Sequence, residues 1–231
     1  MNGEVEMRFP AGGDRRAGVL AAGAIAVLLA GCDLATGPGD ERVSPFVVSD
    51  PVATPAAITR LSSFQAPGSA PVAYVSLVPG SVPGGTSASL FNPATHAVAT
   101  TALHDGGFDP VPLAAGPGDT IEIQVWTDAG APATSLKYGV PERRRPVVVR
   151  TSPPRGKRDV VLNSVMVIVF SEPVDGGTIT PETIRLLRGG SPVAGTLELR
   201  EGGLEAVFRP DAPLNANSGY VLEVSTGITD L

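Results

Sequence analysis

One cysteine, one tryptophan, two histidines and 5% aromatic residues are all that this 231-residue chain offers of the side chains that most often do chemistry. With a single cysteine no internal disulfide can form, so any fold must be held by packing alone. Charge is also sparse. Seventeen basic against 23 acidic residues give a formal net charge of −6, and a mildly acidic chain with few aromatics is a poor candidate for binding nucleic acid. No Gly-x-Ser-x-Gly, P-loop, His-Glu-x-x-His or dinucleotide fingerprint occurs. Nothing in the sequence points to catalysis, to a metal or to a cofactor.

What the chain has in excess is glycine, 28 residues, and proline, 23. Together they lie well above the usual share of about 12%. A chain that is 42% hydrophobic and turns this often reads as short strands joined by tight turns. The expected class is therefore all-β.

The lone cysteine sits in a particular context. Arg15 and Arg16 precede an unbroken run of small and apolar residues from Ala17 to Ala30. As a helix that run spans roughly 21 Å, whereas a bilayer core needs about 30 Å. A charged start, a short apolar middle and small residues before a cut describe a signal peptide better than a permanent span. Glu4 and Glu6 are unusual in such a start, and Met7 is an alternative initiator that would drop both.

Leu29-Ala30-Gly31-Cys32 resembles the lipobox of bacterial lipoproteins. The resemblance implies a diacylglycerol thioether on Cys32, cleavage before it and acylation of the new amino terminus. Two lipid signals anchor stably where one chain binds only marginally. The implied partner is thus a membrane, held through the lipid on Cys32. The implied location is the bacterial cell envelope, on a membrane facing the periplasm or the exterior.

Residues 33–44 are rich in Gly, Pro, Asp and Glu without periodicity and read as a tether. After them, Phe46 to Val48 and Ile58 to Leu61 are short strand candidates. Val72 to Val78 alternates around Tyr74. Ser87 to Phe91 and Val98 to Leu103 flank Asn92-Pro93-Ala94-Thr95, a good hairpin turn. Pro110 to Ala114, Thr120 to Trp126 and Leu136 to Val140 complete a first domain. In the Thr120 strand, Ile121, Ile123 and Val125 share one face. The turn Asp105-Gly106-Gly107-Phe108 and the later Gly118-Asp119 before a strand resemble carboxypeptidase-regulatory-like and bacterial Ig-like modules.

Pro141-Glu142-Arg143-Arg144-Arg145-Pro146 carries no apolar residue and marks a boundary. Beyond it, strands are expected at Val147 to Thr151, Asn163 to Phe170, Thr183 to Leu187, Gly195 to Arg200, Leu204 to Arg209 and Tyr220 to Ser225, a sandwich-like spacing. The Asn163 strand is apolar on both faces and should be central.

Ser152-Pro153-Pro154, then Ile168-Val169-Phe170-Ser171-Glu172-Pro173-Val174-Asp175, Val207-Phe208-Arg209-Pro210 and Thr226-Gly227-Ile228-Thr229-Asp230-Leu231 resemble the SbsA-type bacterial Ig-like domain. That family carries one further strand beyond the point matched by Leu231. Without it the Tyr220 strand is expected to show an open edge, to be filled by further chain or by a partner.

The organisation read from the sequence is tandem Ig-like β-sandwiches behind a cleaved lipoprotein signal peptide. Residues 1–31 are the signal, 32–45 the tether, 46–140 a carboxypeptidase-regulatory-like or Ig-like sandwich, 141–146 the linker and 147–231 the SbsA-type domain.

Candidate sites are few. Asp105, Asp109, Asp119 and Asp128 lie in turns and lack the Asp-x-Asp-x-Asp spacing of a calcium loop, so bonding to their own backbone is the favoured reading. His96 and His104 have no evident third ligand or nucleophile and read as exposed hairpin residues. Arg143 to Arg145, Arg150, Arg155, Lys157 and Arg158 cluster at the boundary. They read as a solvated linker before a surface for lipid headgroups or glycan. Trp126 is core if both faces of its strand are covered, and a sugar-stacking platform if not.

The favoured function is a non-catalytic, lipid-anchored spacer, scaffold or adhesion protein, in contact with envelope polysaccharide or other envelope proteins. The alternatives are an accessory stalk of a larger secreted enzyme and a carbohydrate-binding lipoprotein.

Overall fold

Alternation builds this chain. In strand β7, Thr120–Thr127, the side chains of Ile121, Ile123 and Val125 are fully buried, while Glu122 is half-buried and Thr120 and Gln124 are exposed. Period-2 burial of this kind requires a sheet with one covered face. The computed structural model describes residues 3–8, 46–52, 71–128, 130 and 132–231. Among these the ordered elements are strands and two 3-10 turns, at Gly176–Thr178 and Glu201–Gly203. The protein is all-β.

The first sandwich packs a three-stranded sheet on a four-stranded one. Strands β2 (Phe46–Val48), β3 (Val72–Leu77) and β6 (Phe108–Ala114) lie in the order β2-β3-β6. Facing them are β4 (Gly85–Asn92), β5 (Ala97–Ala102), β7 and β8 (Pro132–Gly139), in the order β5-β4-β7-β8. All pairings are antiparallel. The core between them holds Phe46, Val75, Leu77, Leu90, Phe108, Leu113 and the three inward residues of β7. The expected β4–β5 hairpin is present. Asn92 accepts a hydrogen bond from the amide of Ala94 at 3.0 Å and donates to the carbonyl of Ala114 at 2.9 Å, which explains a buried amide at a turn.

The second sandwich contains β9 (Val148–Ser152), β10 (Met166–Phe170), β13 (Gly195–Arg200) and β14 (Glu205–Pro210), in the order β13-β14-β10-β9. β10 is central, as its composition predicts. Met166, Ile168 and Phe170 fill the core, and on the other face Val169 is buried and Val167 half-buried. The opposing sheet has β11 (Ile184–Arg188), β12 (Ser191–Pro192) and β15 (Gly219–Val224), with Leu186, Tyr220 and Leu222 pointing inward.

The open edge expected on β15 is not found. β1 (Gly3–Arg8) pairs antiparallel with it through six register positions, from Gly3 opposite Val224 to Arg8 opposite Gly219. Sequence reasoning assigned these residues only to the start of a signal segment. Their role as a strand follows from alternation in Glu4-Val5-Glu6-Met7, which is too short to stand out without its partner. The unpaired N–H and C=O groups of β15 are thereby met from the other end of the chain. The lipobox residues Leu29, Ala30, Gly31 and Cys32, the tether, and the Ile58 to Leu61 candidate lie outside the described residues.

The Asp105-Gly106 turn shows what its glycines are for. Asp105 and Gly106 both have positive φ, and His104 and Gly107 exchange backbone hydrogen bonds of 2.8 and 3.0 Å. This is the geometry of a two-residue primed turn. Its carbonyls also receive the amides of Gly80 and Val82, so two loops are clasped together. A Cβ on Gly107 would meet the carbonyl oxygen of Leu77 at 2.5 Å and the backbone nitrogen of Pro79 at 2.7 Å. Both are backbone atoms and cannot swing aside.

Gly107→Ala should therefore lower stability by about 1–3 kcal/mol in urea unfolding. Gly139→Ala, with no atom within 4 Å of the new methyl, should change it by less than about 0.5 kcal/mol. Equal losses at the two positions would show that the clasp is unimportant. Deleting residues 1–8 should expose the β15 edge and produce concentration-dependent self-association in light scattering, where the intact chain stays monomeric. A truncated chain that remains monomeric would mean β1 is dispensable.

Candidate functional site

Strand β3 has no polar face. Ala73, Val75 and Leu77 point into the first core, and Val72, Tyr74 and Ser76 are equally buried on the other side. Val72 and Tyr74 join Val52 in a separate apolar cluster, against which Leu204 of the second sandwich packs. The two sandwiches thus share a buried junction. The linker contributes to it: Arg144 donates to the carbonyl of Val48 at 3.3 Å, and the amide of Val147 donates to Ser171 Oγ at 3.1 Å. Arg150 of β9 reaches Asp109 of β6 through a two-pronged ion pair, Nε to Oδ1 at 2.5 Å and Nη2 to Oδ2 at 2.6 Å. Both partners are partly exposed, so the pair contributes only about 0.2–1 kcal/mol. Apolar burial holds the junction, and the ion pair fixes its register.

Three acids meet at this junction. Asp50 follows β2, Glu172 follows β10, and Asp230 lies near the last residue. One carboxylate oxygen of each lies within 4.8 Å of the others. Glu172 is fully buried, Asp50 is 8% exposed, and Asp230 is half-buried. Local backbone bonding places all three. The amide of Ser49 donates to the carbonyl of Tyr74, and the amide of Tyr74 donates to Ser49 Oγ, each at 2.9 Å; together these pin the chain beside Asp50. The buried run Ser171-Glu172-Pro173-Val174 turns sharply after β10, and Val174 bridges to Asp230. The amide of Asp175 donates to the carbonyl of Thr229 at 2.8 Å.

The electrostatics of the cluster are one-sided. Burial above all, then the facing carboxyl of Asp50, and more weakly the charge of Asp230, push the Glu172 carboxyl up to about 9. A hydrogen bond from Ser171 Oγ, at 3.3 Å, opposes them only in part. Asp50 Oδ1 and Glu172 Oε2 are buried with no hydrogen-bond partner. Buried polar atoms in native proteins are almost always paired, so two orphans in one acidic cluster call for a proton or a cation between them.

The residues singled out from sequence lie elsewhere. Among the described residues Asp105, Asp109, Asp119 and Asp128 form no cluster. Asp119 accepts from the amide of Gly116 at 2.8 Å and from Asn92 at 2.9 Å, as a turn aspartate does. His96 and His104 are both exposed. His104 shares a junction cleft of about 530 Å³ with Ser152, Asp109 and Arg150, but no hydrogen bond joins the His104 and Ser152 side chains. Of the basic cluster, Arg143, Arg145, Arg155, Lys157 and Arg158 are exposed, while Arg144 and Arg150 are drawn into the junction. The core reading of Trp126 fails. It lies half-buried on the outer face of β7, beside exposed Ser87 of β4, because nothing covers that face at Gln124.

The sequence does not announce the acid cluster because its members are far apart along the chain. Two of them stand inside strings that carry the Ig-like resemblance, Glu172 in Phe-Ser-Glu-Pro-Val-Asp and Asp230 in Gly-Ile-Thr-Asp. A glutamate directly after an apolar strand end, followed by proline, was the available signal.

Comparison with known proteins agrees with the second sandwich. No curated protein matches the chain. A solved structure titled "Biofilm associated protein - BSP domain" aligns over 77% of this chain with 16% identity and a TM-score of 0.32, and the chain spans 27% of it. Residues 142–231 match the family model described as a bacterial Ig-like domain.

Proposed function

We propose that this chain is a lipid-anchored, non-catalytic envelope protein whose sandwiches serve as spacer or adhesion modules. The observation that carries the reading is Leu29-Ala30-Gly31-Cys32, in which the only cysteine of the chain closes an apolar run behind two arginines. A thiol is required at that position because it is the nucleophile that forms the thioether. The bacterial Ig-like match at residues 142–231 supports a structural or adhesive role at the cell surface. The finer resemblance to the SbsA-type domain rests on Phe170-Ser171-Glu172-Pro173-Val174-Asp175 and its neighbours.

The architecture suits that role. A buried junction between the sandwiches makes a stiff unit out of two domains, and stiffness is what a spacer needs. Ig-like sandwiches host many functions, so the reading leans on the anchor more than on the fold.

The full-length chain expressed in a bacterial host should incorporate a labelled fatty acid and fractionate with membranes. Cys32→Ser should lose the label and move into the soluble fraction. Label retained on the serine variant, or a wild-type chain without label, would refute the anchor.

A further inference from the structure

We propose that Asp50, Glu172 and Asp230 form a calcium site that ties the two sandwiches together. The three residues come from the end of β2, the end of β10 and the end of the described chain, and they converge to within 4.8 Å. Asp50 belongs to the first sandwich, Glu172 and Asp230 to the second. An ion held by all three would bridge the junction directly.

The chemistry of the donors selects the ion. All are carboxylates, without histidine or cysteine, which disfavours zinc and copper and favours a hard cation. Calcium accepts six to eight oxygens in flexible geometry, whereas magnesium demands a near-ideal octahedron and sheds its water reluctantly. The half-buried Asp230 gives the cluster one solvent-facing side, from which water could complete the coordination. Independent of the clustering, the orphaned atoms point the same way. Glu172 Oε2 and Asp50 Oδ1 are each buried without any partner, and the carboxylates brought beside Glu172 are those of Asp50 and Asp230. A divalent cation would satisfy the orphans and offset the repulsion in one step. Because the ligands lie in both sandwiches, binding is coupled to their docking.

The test uses the full chain, stripped with chelator and titrated with calcium alone by calorimetry. One ion per chain is expected, with a dissociation constant in the range of about 10⁻⁵ to 10⁻³ M, a higher melting temperature and weaker binding of magnesium. Calcium should also slow tryptic cleavage after the exposed Arg143 of the linker. Glu172→Gln should lower affinity at least tenfold and remove the protection. If that variant does not fold, Asp230→Asn, at a half-buried position outside both cores, should show the same loss. A chain with no calcium-dependent heat, or variants that keep the full response, would overturn the proposal and leave the cluster as a carboxyl pair sharing a proton.

Discussion

Both faces of β3 are buried, and most of the architecture follows from that. A strand in a free-standing sandwich can leave one face to water, and β5 does so with Val98 and Thr100 exposed. β3 cannot, because Val72 and Tyr74 on its outer side are as apolar as Ala73, Val75 and Leu77 on its inner side. Without the second sandwich the first would present Tyr74 and its neighbours to solvent, at a cost of about 1.5–3 kcal/mol for each large side chain left uncovered. With no disulfide available, this apolar contact is the main link between the two modules. The Arg150–Asp109 ion pair is worth less than one buried valine and serves to set the register.

Apolar burial has a polar consequence. The outer side of β3 also carries Ser76 Oγ and Tyr74 Oη, and both are buried without partners. Burial alone pushes the Tyr74 hydroxyl well above its ordinary range, so it stays neutral. The junction therefore contains several polar atoms whose bonds are not made within the protein. That pattern is uncommon in a core that has only packing to achieve. It is expected where two surfaces close over water or an ion, and the acid cluster lies in this same junction.

Much of the fold could be read directly from the residues, and the reasons are specific. β7 announces itself by the period-2 placing of Ile121, Ile123 and Val125, β10 by an unbroken apolar run on both faces, and the β4–β5 hairpin by Asn92-Pro93. These are local signals, complete within ten residues. β1 and β12 were invisible because each is defined by its partner: β12 is two residues long, and β1 alternates too briefly. The sequence leaves Trp126 open to two readings because covering of a face depends on what lies above it, which β7 alone does not encode. The acid cluster is the extreme case, assembled from positions 50, 172 and 230 by the docking of two domains.

The strand supplied by Gly3–Arg8 links the fold to the anchor. If the chain is cut before Cys32, β1 leaves with the signal segment, and β15 loses one of its two neighbours. With β1 in place the edge of β15 is closed by a segment of the same chain, which shields it from pairing with other strands. On this argument the alternation of Glu4-Val5-Glu6-Met7 is part of the fold, because these residues pair in register with Val221 to Glu223 and with Tyr220 of β15.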